Sequence, residues 1–261
     1  MINKYNVMRR MYTLAFERGW GHLASSSSAL PIMLKIYKEM LPEDTFVLSK
    51  GHSCMALYAI LQELGYNPDT TAPYGGYQPK EGISYSCGSL GHGLPFSAGI
   101  AFAEKLKSKT GMAIPKVYCL VGDGELQEGT TWETYLLIYR FHLKNLFVTI
   151  DANDWQACKP CYDNPASDMM NKLGFQKINS EKGQFCELTR GKPYMHTFYM
   201  TKENYDTVIN GINEDESKAI KRIERKKNIN QNYVEYRKRR LETLRLGREK
   251  LKNARKIRKS N

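Results

Sequence analysis

Two short, uninterrupted apolar runs constrain the fold of this chain more than any other feature. KVYCLVG at 116–122 and NLFVTID at 145–151 have the length and the apolar content of strands that are buried on both faces. A helical pattern over about 130–142 separates the two runs, and another over about 94–108 precedes the first. Apolar strands that alternate with helices predict an α/β fold, with a mainly parallel sheet covered by helices on both faces.

The chain before these strands shows the same alternation. An amphipathic run near 5–18 predicts a helix, and the short strand TFVLS is followed by a helical pattern over 53–64. The region 67–87 is rich in Gly, Pro, Tyr and Thr, and we expect it to be a loop. Residues 1–210 contain no internal repeat and are predicted to form one α/β domain.

The charge of the chain is divided unevenly along its length. The net charge is +12, but residues 211–261 hold 18 Lys and Arg against 7 Asp and Glu, a net +11 that leaves +1 for residues 1–210. The basic segment is poor in Gly and Pro and rich in helix formers, which predicts a basic helical extension over 211–261. Three roles stay open for it: a solvated helix, a docking helix for a partner subunit, or a binding segment for nucleic acid or another polyanion.

Other properties of the sequence bear on its location and on metal binding. No stretch approaches the roughly 20 apolar residues that a membrane span requires. Six cysteines are scattered through a chain too long to need disulfides, so we expect reduced thiols and a cytoplasmic location. Cys158 and Cys161 form a CxxC motif, but a structural zinc site would need a second ligand pair, and the nearest candidates are isolated.

Each of the two apolar strands ends in the polar groups that a metal–diphosphate site needs. GDGE at 122–125 follows the first strand, and ANDW at 152–155 follows the second. Glycines on either side of Asp123 allow the backbone to approach a diphosphate closely, and the following helix offers its N-terminal amides to the anion. The carboxylate of Asp123 and the amide oxygen of Asn153 are suitable ligands for Mg²⁺. Because ligands bind at the carboxyl ends of parallel strands, the pair predicts a magnesium–diphosphate site there.

Five segments occur in a distinctive order along the chain. They are GHLASS at 21–26, LSKGH at 48–52, GSLGHGLP at 88–95, GDGELQEGTTWE at 122–133 and NLFVTIDAND at 145–154. Together they resemble the thiamine diphosphate (ThDP) dependent transketolases, most closely the N-terminal, diphosphate-binding subunit of transketolases that are split into two chains. The resemblance implies ThDP and Mg²⁺ as cofactors. It also implies a transferase that moves a two-carbon ketol unit from a ketose phosphate to an aldose phosphate.

The resemblance further implies roles for individual residues. Mg²⁺ would be held by Asp123, by Asn153 and by the backbone carbonyl of Trp155. The cofactor would be contacted by residues from all five of the motifs: Ser25, His52, Gly88, Ser89, Leu90, Gly122, Gly124, Glu125 and Asn153. The catalytic set would be His22, His52, His92 and Glu128, with His22 and His52 facing the substrate carbonyl.

The histidines and Glu128 can also be weighed from their positions alone. His22, His52 and His92 each lie beside a Gly in a predicted loop or turn, where an imidazole has little core to fill, and this favours a functional role. Glu128 either communicates between paired active sites, as the resemblance implies, or is an ordinary acidic residue near a helix N-terminus. His142 lies in a helical run and is expected to be structural.

Two departures from the family pattern bear on the reaction. Where the family has a Gly-His-Pro loop with a substrate histidine, this chain has Gly76-Tyr77-Gln78-Pro79. Nothing after residue 160 resembles the family's pyrimidine-binding domain, which supplies the glutamate that activates ThDP. We therefore expect the chain to require a separate C-terminal, pyrimidine-domain subunit, in a dimer of heterodimers, and to be inactive alone. Two alternatives stay open: a ThDP-dependent decarboxylase or acyloin-type subunit, and a non-catalytic scaffold derived from this fold.

Overall fold

A computed structural model of the protein describes residues 2–86, 88–108, 112–156, 159–160, 164–179 and 197–257. The helices are α1 (Lys4–Arg18), α2 (Leu23–Glu39), α3 (Cys54–Glu63), α4 (Gly93–Lys107), α5 (Gly129–Arg140), α6 (Pro165–Lys172) and α7 (Lys202–Ile257). The strands are β1 (Trp20–Gly21), β2 (Thr45–Leu48), β3 (Val117–Gly122), β4 (Leu146–Ala152), β5 (Trp155–Gln156), β6 (Lys159–Pro160), β7 (Gln176–Asn179) and β8 (Phe198–Tyr199). Cys158, Cys161 and His196 lie outside the described residues.

The central sheet has four parallel strands in the order β2-β3-β4-β7. All six positions of β3 are buried, as expected for an apolar strand in the middle of a covered sheet. Leu48 of β2 lies opposite Leu120 of β3, and Gly122 of β3 lies opposite Asp151 of β4. This register brings the carboxyl ends of the three strands together at one edge of the sheet.

The two faces of the sheet pack against different helices. Tyr118 and Leu120 of β3 belong to a core that is formed mainly with α1, α2 and α3. Cys119 and Val121 belong to a second core, which includes residues of α4 and α6 and is flanked by α5. Because side chains alternate across a strand, these two cores lie on opposite faces. The predicted α/β fold, a mainly parallel sheet with helices on both faces, is confirmed.

The helix at the C-terminus begins earlier than the basic segment that predicted it. Its first turns belong to the body, since Val208 and Ile212 are buried in the core and the ring of Tyr205 stacks on Phe16 at 4.7 Å. The chain divides into two compact units, residues 1–212 and residues 213–261. The proposed division into domains at residues 210 and 211 stays a prediction. None of the helices in the described part of the chain is long and apolar enough to cross a membrane, and the cytoplasmic location also stays a prediction.

Gly93, the first residue of α4, allows this helix to approach the end of β2. A Cβ atom at Gly93 would lie 2.6 Å from the Cα of Ser49, a contact that only a backbone shift could relieve. We expect Gly93→Ala to lower the free energy of unfolding by about 1–3 kcal/mol, the usual cost of overpacking. Urea denaturation measures the change.

Gly99→Ala provides the matched control on the same helix. No atom lies within 4 Å of the Cβ position at Gly99, so this substitution should raise the free energy of unfolding by roughly 0.5–1 kcal/mol through helix propensity. A Gly93→Ala variant that gained stability in the same way would contradict the close approach of α4 to β2.

Deleting residues 214–261 should leave a folded body, because Val208 and Ile212, through which α7 packs in the core, are retained. The deletion removes most of the positive charge, so salt-sensitive retention on heparin should be lost as well. Circular dichroism and heparin chromatography measure the two effects.

A longer deletion, of residues 202–261, removes Val208 and Ile212 and should lower the melting temperature. Aggregation of the shorter truncation would contradict an independently folded body.

Candidate functional site

A cavity of about 400 Å³ lies at the edge of the sheet where β2, β3 and β4 end. Its lining comes from the residues that follow these strands and from the loop before α4: Lys50, His52, Tyr74, Gly88, Leu90, Gly122, Asp123, Gly124, Glu125, Gln127, Glu128, Asn153, Trp155 and Gln156. Parallel α/β sheets bind their ligands at this edge. The cavity is therefore the candidate site.

Most of the residues expected to form the site line this one cavity. They are His52, Gly88, Leu90, Gly122, Asp123, Gly124, Glu125, Glu128, Asn153 and Trp155. His22 lies directly behind the lining, because its ring centroid is 6.1 Å from that of His52 and 5.5 Å from that of Tyr74. Ser25 is buried beneath the site, and its hydroxyl is 2.8 Å from the hydroxyl of Ser53.

Ser89 and His92 are not brought into the lining. Both side chains are exposed in the loop that leads into α4, and His92 occupies the N-cap position of that helix. His142 is also exposed, just beyond the end of α5, so it fills no core position. The predicted roles of Ser89 and His92 stay predictions, but the structure gives them no contact with the cavity.

A tight turn, and not a regular helix, follows β3 directly. Asp123–Gln127 form a short 3₁₀ helix, and α5 begins only at Gly129. Glu125 stabilises the turn through both of its carboxylate oxygens. Its Oε2 accepts a hydrogen bond from Gly122 N at 2.8 Å, and its Oε1 accepts from Gly91 N at 2.9 Å and from the Ser49 hydroxyl at 2.6 Å. These donors occupy the carboxylate, so Glu125 orders three loops around the cavity.

The buried carboxylate of Asp123 has one oxygen without a hydrogen-bond partner. Its Oδ1 accepts a hydrogen bond from Gly124 N at 2.9 Å, whereas its Oδ2 is buried without a hydrogen-bond partner. Burial raises the pKa of Asp123 from 3.8 to about 6; the ammonium of Lys50 lowers this pKa and the carboxylate of Asp151 raises it. Asn164, the N-cap of α6, donates to the backbone carbonyl of Asp123 at 2.9 Å and so holds the turn from the other side.

Lys50, which lines the cavity, forms a buried ion pair with Asp151. Lys50 follows β2 and Asp151 is the next-to-last residue of β4, so the pair spans the end of β3 between them. The Oδ2 of Asp151 also accepts a hydrogen bond from the Ser28 hydroxyl at 2.8 Å and one from the Asn153 amide at 3.4 Å. The Oδ1 of Asn153 is turned the other way and accepts from Trp155 N at 3.0 Å.

The donor set fits a hard divalent cation bound together with a polyanion. The unpartnered Oδ2 of Asp123 is an anionic oxygen, and the Oδ1 of Asn153 is a neutral one. The Nε2 of Gln156 is also buried without a partner in the same cavity, and it is a donor suited to an anion. Within the described residues, no three His, Cys, Asp or Glu side chains cluster as metal ligands. A cation beside Asp123 would therefore also rely on neutral oxygens and on oxygens of the bound anion.

Several participants in the site were not identified from the sequence, among them Lys50, Asp151, Ser28, Gln156 and Tyr74. Lys50 lies within the LSKGH motif, but a lysine beside glycine usually indicates a solvent-exposed loop. An Asp at the penultimate position of an apolar strand was the available signal for Asp151, because a buried carboxylate requires a partner. The partner is 101 residues away in sequence, so only the fold reveals the pair.

The loop that departs from the family pattern brings a tyrosine to the cavity. Tyr77, in the segment Gly76-Tyr77-Gln78-Pro79, is exposed, and its backbone N donates to Ser86 Oγ at 2.9 Å. Tyr74, three residues earlier, lines the cavity between His22 and Gly88. Tyr74 therefore contributes an aromatic side chain to the lining, whereas none of residues 76–79 lines the cavity.

Comparisons with known proteins agree with this geometry. The family model described as "Transketolase, thiamine diphosphate binding domain" matches residues 33–159. One of the subunits of the apulose-4-phosphate transketolase of Actinobacillus succinogenes is 34% identical over 175 residues, which are 58% of this chain and 61% of that protein. Human transketolase is 36% identical over 155 residues, 52% of this chain and 24% of that protein. The chain thus covers less than two thirds of the length of either relative.

Solved structures of low sequence identity share the fold. The transketolase of Leishmania mexicana superposes with a TM-score of 0.63 at 19% identity, over 80% of this chain and 40% of that protein. The transketolase of Campylobacter jejuni gives 0.60 at 17% identity, over 80% of this chain and 42% of that protein. The matched family model covers α3, β3 and β4 together with the turns that follow them. The match to the thiamine diphosphate binding domain of transketolases thus coincides, over residues 33–159, with the elements that form the cavity.

Proposed function

We propose that this chain is the diphosphate-binding subunit of a transketolase-like enzyme, which transfers a two-carbon ketol unit from a ketose phosphate to an aldose phosphate. The observation that carries the proposal is the buried, unpartnered Oδ2 of Asp123 in the cavity that also contains Asn153 and His52. A buried carboxylate oxygen without a hydrogen-bond partner lowers the stability of the fold. A ligand that binds to this oxygen gives a physical reason for the presence of the carboxylate.

The charges around the cavity favour Mg²⁺ as the companion of the diphosphate. Three buried carboxylates, those of Asp123, Glu125 and Asp151, face a single buried ammonium, that of Lys50. When ionised, this set carries a net charge of −2, which would repel a diphosphate. A divalent cation cancels that charge and bridges carboxylate to phosphate oxygens. ThDP and Mg²⁺ are therefore proposed to bind together.

The remaining residues of the lining have separable tasks in this proposal. Gly124 lines the cavity without a side chain, which permits a close approach of the diphosphate to its backbone, and the neighbouring Gln156 is proposed to donate to a diphosphate oxygen. ThDP, when bound, supplies the electron sink for breaking a carbon–carbon bond. His52 lines the cavity with His22 behind it, and the two imidazoles are proposed to hold and move protons at the oxygens of the substrate.

The second half of the active site is proposed to come from another chain. The family-model match ends at residue 159, and the body described after it contains one short helix, α6, and the strands β7 and β8 before α7. A relative whose name designates one subunit of a transketolase belongs to an enzyme that is built from more than one chain. We propose a pyrimidine-domain partner that supplies the activating carboxylate, in a dimer of heterodimers, with each active site between two chains.

Asp123→Asn replaces the carboxylate with a neutral amide of the same shape. Mg²⁺-dependent ThDP binding, measured by calorimetry, should be lost because the cation loses its anionic ligand. Without ligands at pH 8, the variant should be more stable than the wild type by roughly 1–3 kcal/mol, since the folded protein no longer buries an ionised carboxylate whose pKa is raised. Urea denaturation measures this gain.

The stability gain should depend on pH with a defined sign. The folded pKa of Asp123, about 6, lies above its unfolded value of 3.8, so the cost of burying the charge is complete above pH 6 and fades as the pH falls toward 4. Asp168→Asn is the control, because a hydrogen bond from Lys177 lowers the pKa of Asp168 and its neutralisation should bring no such gain. Wild-type ThDP affinity in Asp123→Asn would contradict the metal assignment.

The isolated chain should show no ketol transfer from xylulose 5-phosphate to ribose 5-phosphate, even with saturating ThDP and Mg²⁺. Adding the pyrimidine-domain subunit should restore transfer in a coupled assay. His52→Ala should then lower kcat about 10²-fold or more, the scale of a lost proton-transfer group. His142→Ala is the matched control, because His142 is exposed and does not line the cavity.

The outcomes of this assay separate the candidate functions. Turnover by the isolated chain would contradict a site divided between two chains. Turnover of 2-oxoacids but not of ketose phosphates by the assembled enzyme would replace ketol transfer with the decarboxylase or acyloin-type reaction. An assembled complex without activity on any of these donors would leave the scaffold function.

A further inference from the structure

The Lys50–Asp151 ion pair is fully buried. Both of its side chains are at most 1% exposed, whereas the side chains of Lys107–Glu104, Lys177–Asp168 and Lys202–Asp206 are at least 25% exposed. Burying two charges costs about as much free energy as their attraction returns, and apolar residues of similar volume often serve the fold equally well. Stability alone therefore gives no reason for a charged pair at this position.

The position of the pair points to the neighbouring cavity. Lys50 lies at the end of β2 and Asp151 at the end of β4, while Asp123 follows β3 between them. The pair thus joins the two strands that flank the proposed metal ligand. Ser28 of α2 donates to the same Asp151 oxygen at 2.8 Å and fixes the carboxylate from the helix side.

We propose that Lys50 and Asp151 are positioning residues for the metal–diphosphate pocket, acting through the side chain of Asn153. This inference rests on the proposed function. The Asp151 carboxylate attracts the NH₂ group of the Asn153 amide, at 3.4 Å, and repels its oxygen. The amide is therefore held with Nδ2 toward Asp151 and Oδ1 away from it, which is the orientation a cation ligand requires.

Lys50 has the complementary task of neutralising Asp151. An unpaired carboxylate two residues from Asn153 would compete with Asp123 for the cation, because hard cations prefer anionic oxygens. With its charge cancelled by Lys50, Asp151 orients the amide and leaves the cation to Asp123. The pair is thus expected to affect the binding of Mg²⁺ more than that of ThDP itself.

The test replaces both charged residues together, as Lys50→Met/Asp151→Val, which makes this position apolar at a similar volume. We expect this variant to fold with a melting temperature close to that of the wild type, and Lys50→Met alone to be less stable than the double variant. In fluorescence titrations with Mg²⁺ at fixed ThDP, the half-saturating Mg²⁺ concentration should rise at least about 10-fold, the scale of one lost oriented hydrogen bond to a charged group. At saturating Mg²⁺, the ThDP affinity should change by less.

The outcomes separate this inference from the proposed function. A wild-type chain that does not bind ThDP with Mg²⁺ would overturn the proposed function. A wild type that binds, with a folded double variant whose Mg²⁺ dependence is unchanged, would overturn only the positioning role. If the double variant does not fold, Ser28→Ala decides, because it removes one hydrogen bond to the Asp151 carboxylate and one from the Asn153 amide, which both hold this amide, and leaves the ion pair intact. A raised Mg²⁺ requirement in Ser28→Ala supports the positioning role, and an unchanged one overturns it.

Discussion

Parallel pairing of β2, β3 and β4 is the constraint on which the rest of the site depends. In a parallel sheet all strands end at the same edge, so residues far apart in sequence meet there without any further adjustment. The register that places Gly122 opposite Asp151 brings the turn with Asp123 between Lys50 and Asn153. A slip of one residue in β4 would turn Asp151 to the other face of the sheet and expose its charge to the apolar core of α4 and α6.

The fold tolerates a costly site because its apolar framework is extensive on both faces of the sheet. Three buried carboxylates and one ammonium occupy the edge, and each requires a partner in a region with little water. Glu125 and Asp151 find their partners within the protein, in backbone amides, hydroxyls and Lys50. Asp123 is satisfied at one oxygen only. This difference separates the groups that maintain the site from the group that is left for a ligand.

The sequence predicted the parts of the structure that depend on local pattern. The two apolar strands, their helical crossovers and the polar turns after them follow from periodicity and glycine placement. The start of α7 was not predicted, because the basic composition begins after the turns in which Val208 and Ile212 pack against the core. The pairing of Lys50 with Asp151 was not predicted either, since a contact over 101 residues leaves no local pattern. The histidines show the same limit, because His22, His52 and His92 all adjoin glycine but lie in different environments. His22 is buried behind the cavity and His52 lines it, whereas His92 is exposed at the N-cap position of α4.

The proposed division of the site between two chains has a consequence for how the cofactor would be held. The diphosphate end carries most of the charge of ThDP, and the groups proposed to bind it all belong to this chain. With the proposed partner at the pyrimidine end, cofactor binding and subunit assembly are thermodynamically linked, because each raises the affinity for the other by the same factor. Buried partners hold the side chains of Asp123 and Asn153 in place before any ligand binds. Less conformational entropy is therefore lost when the proposed second chain closes the site, which favours assembly.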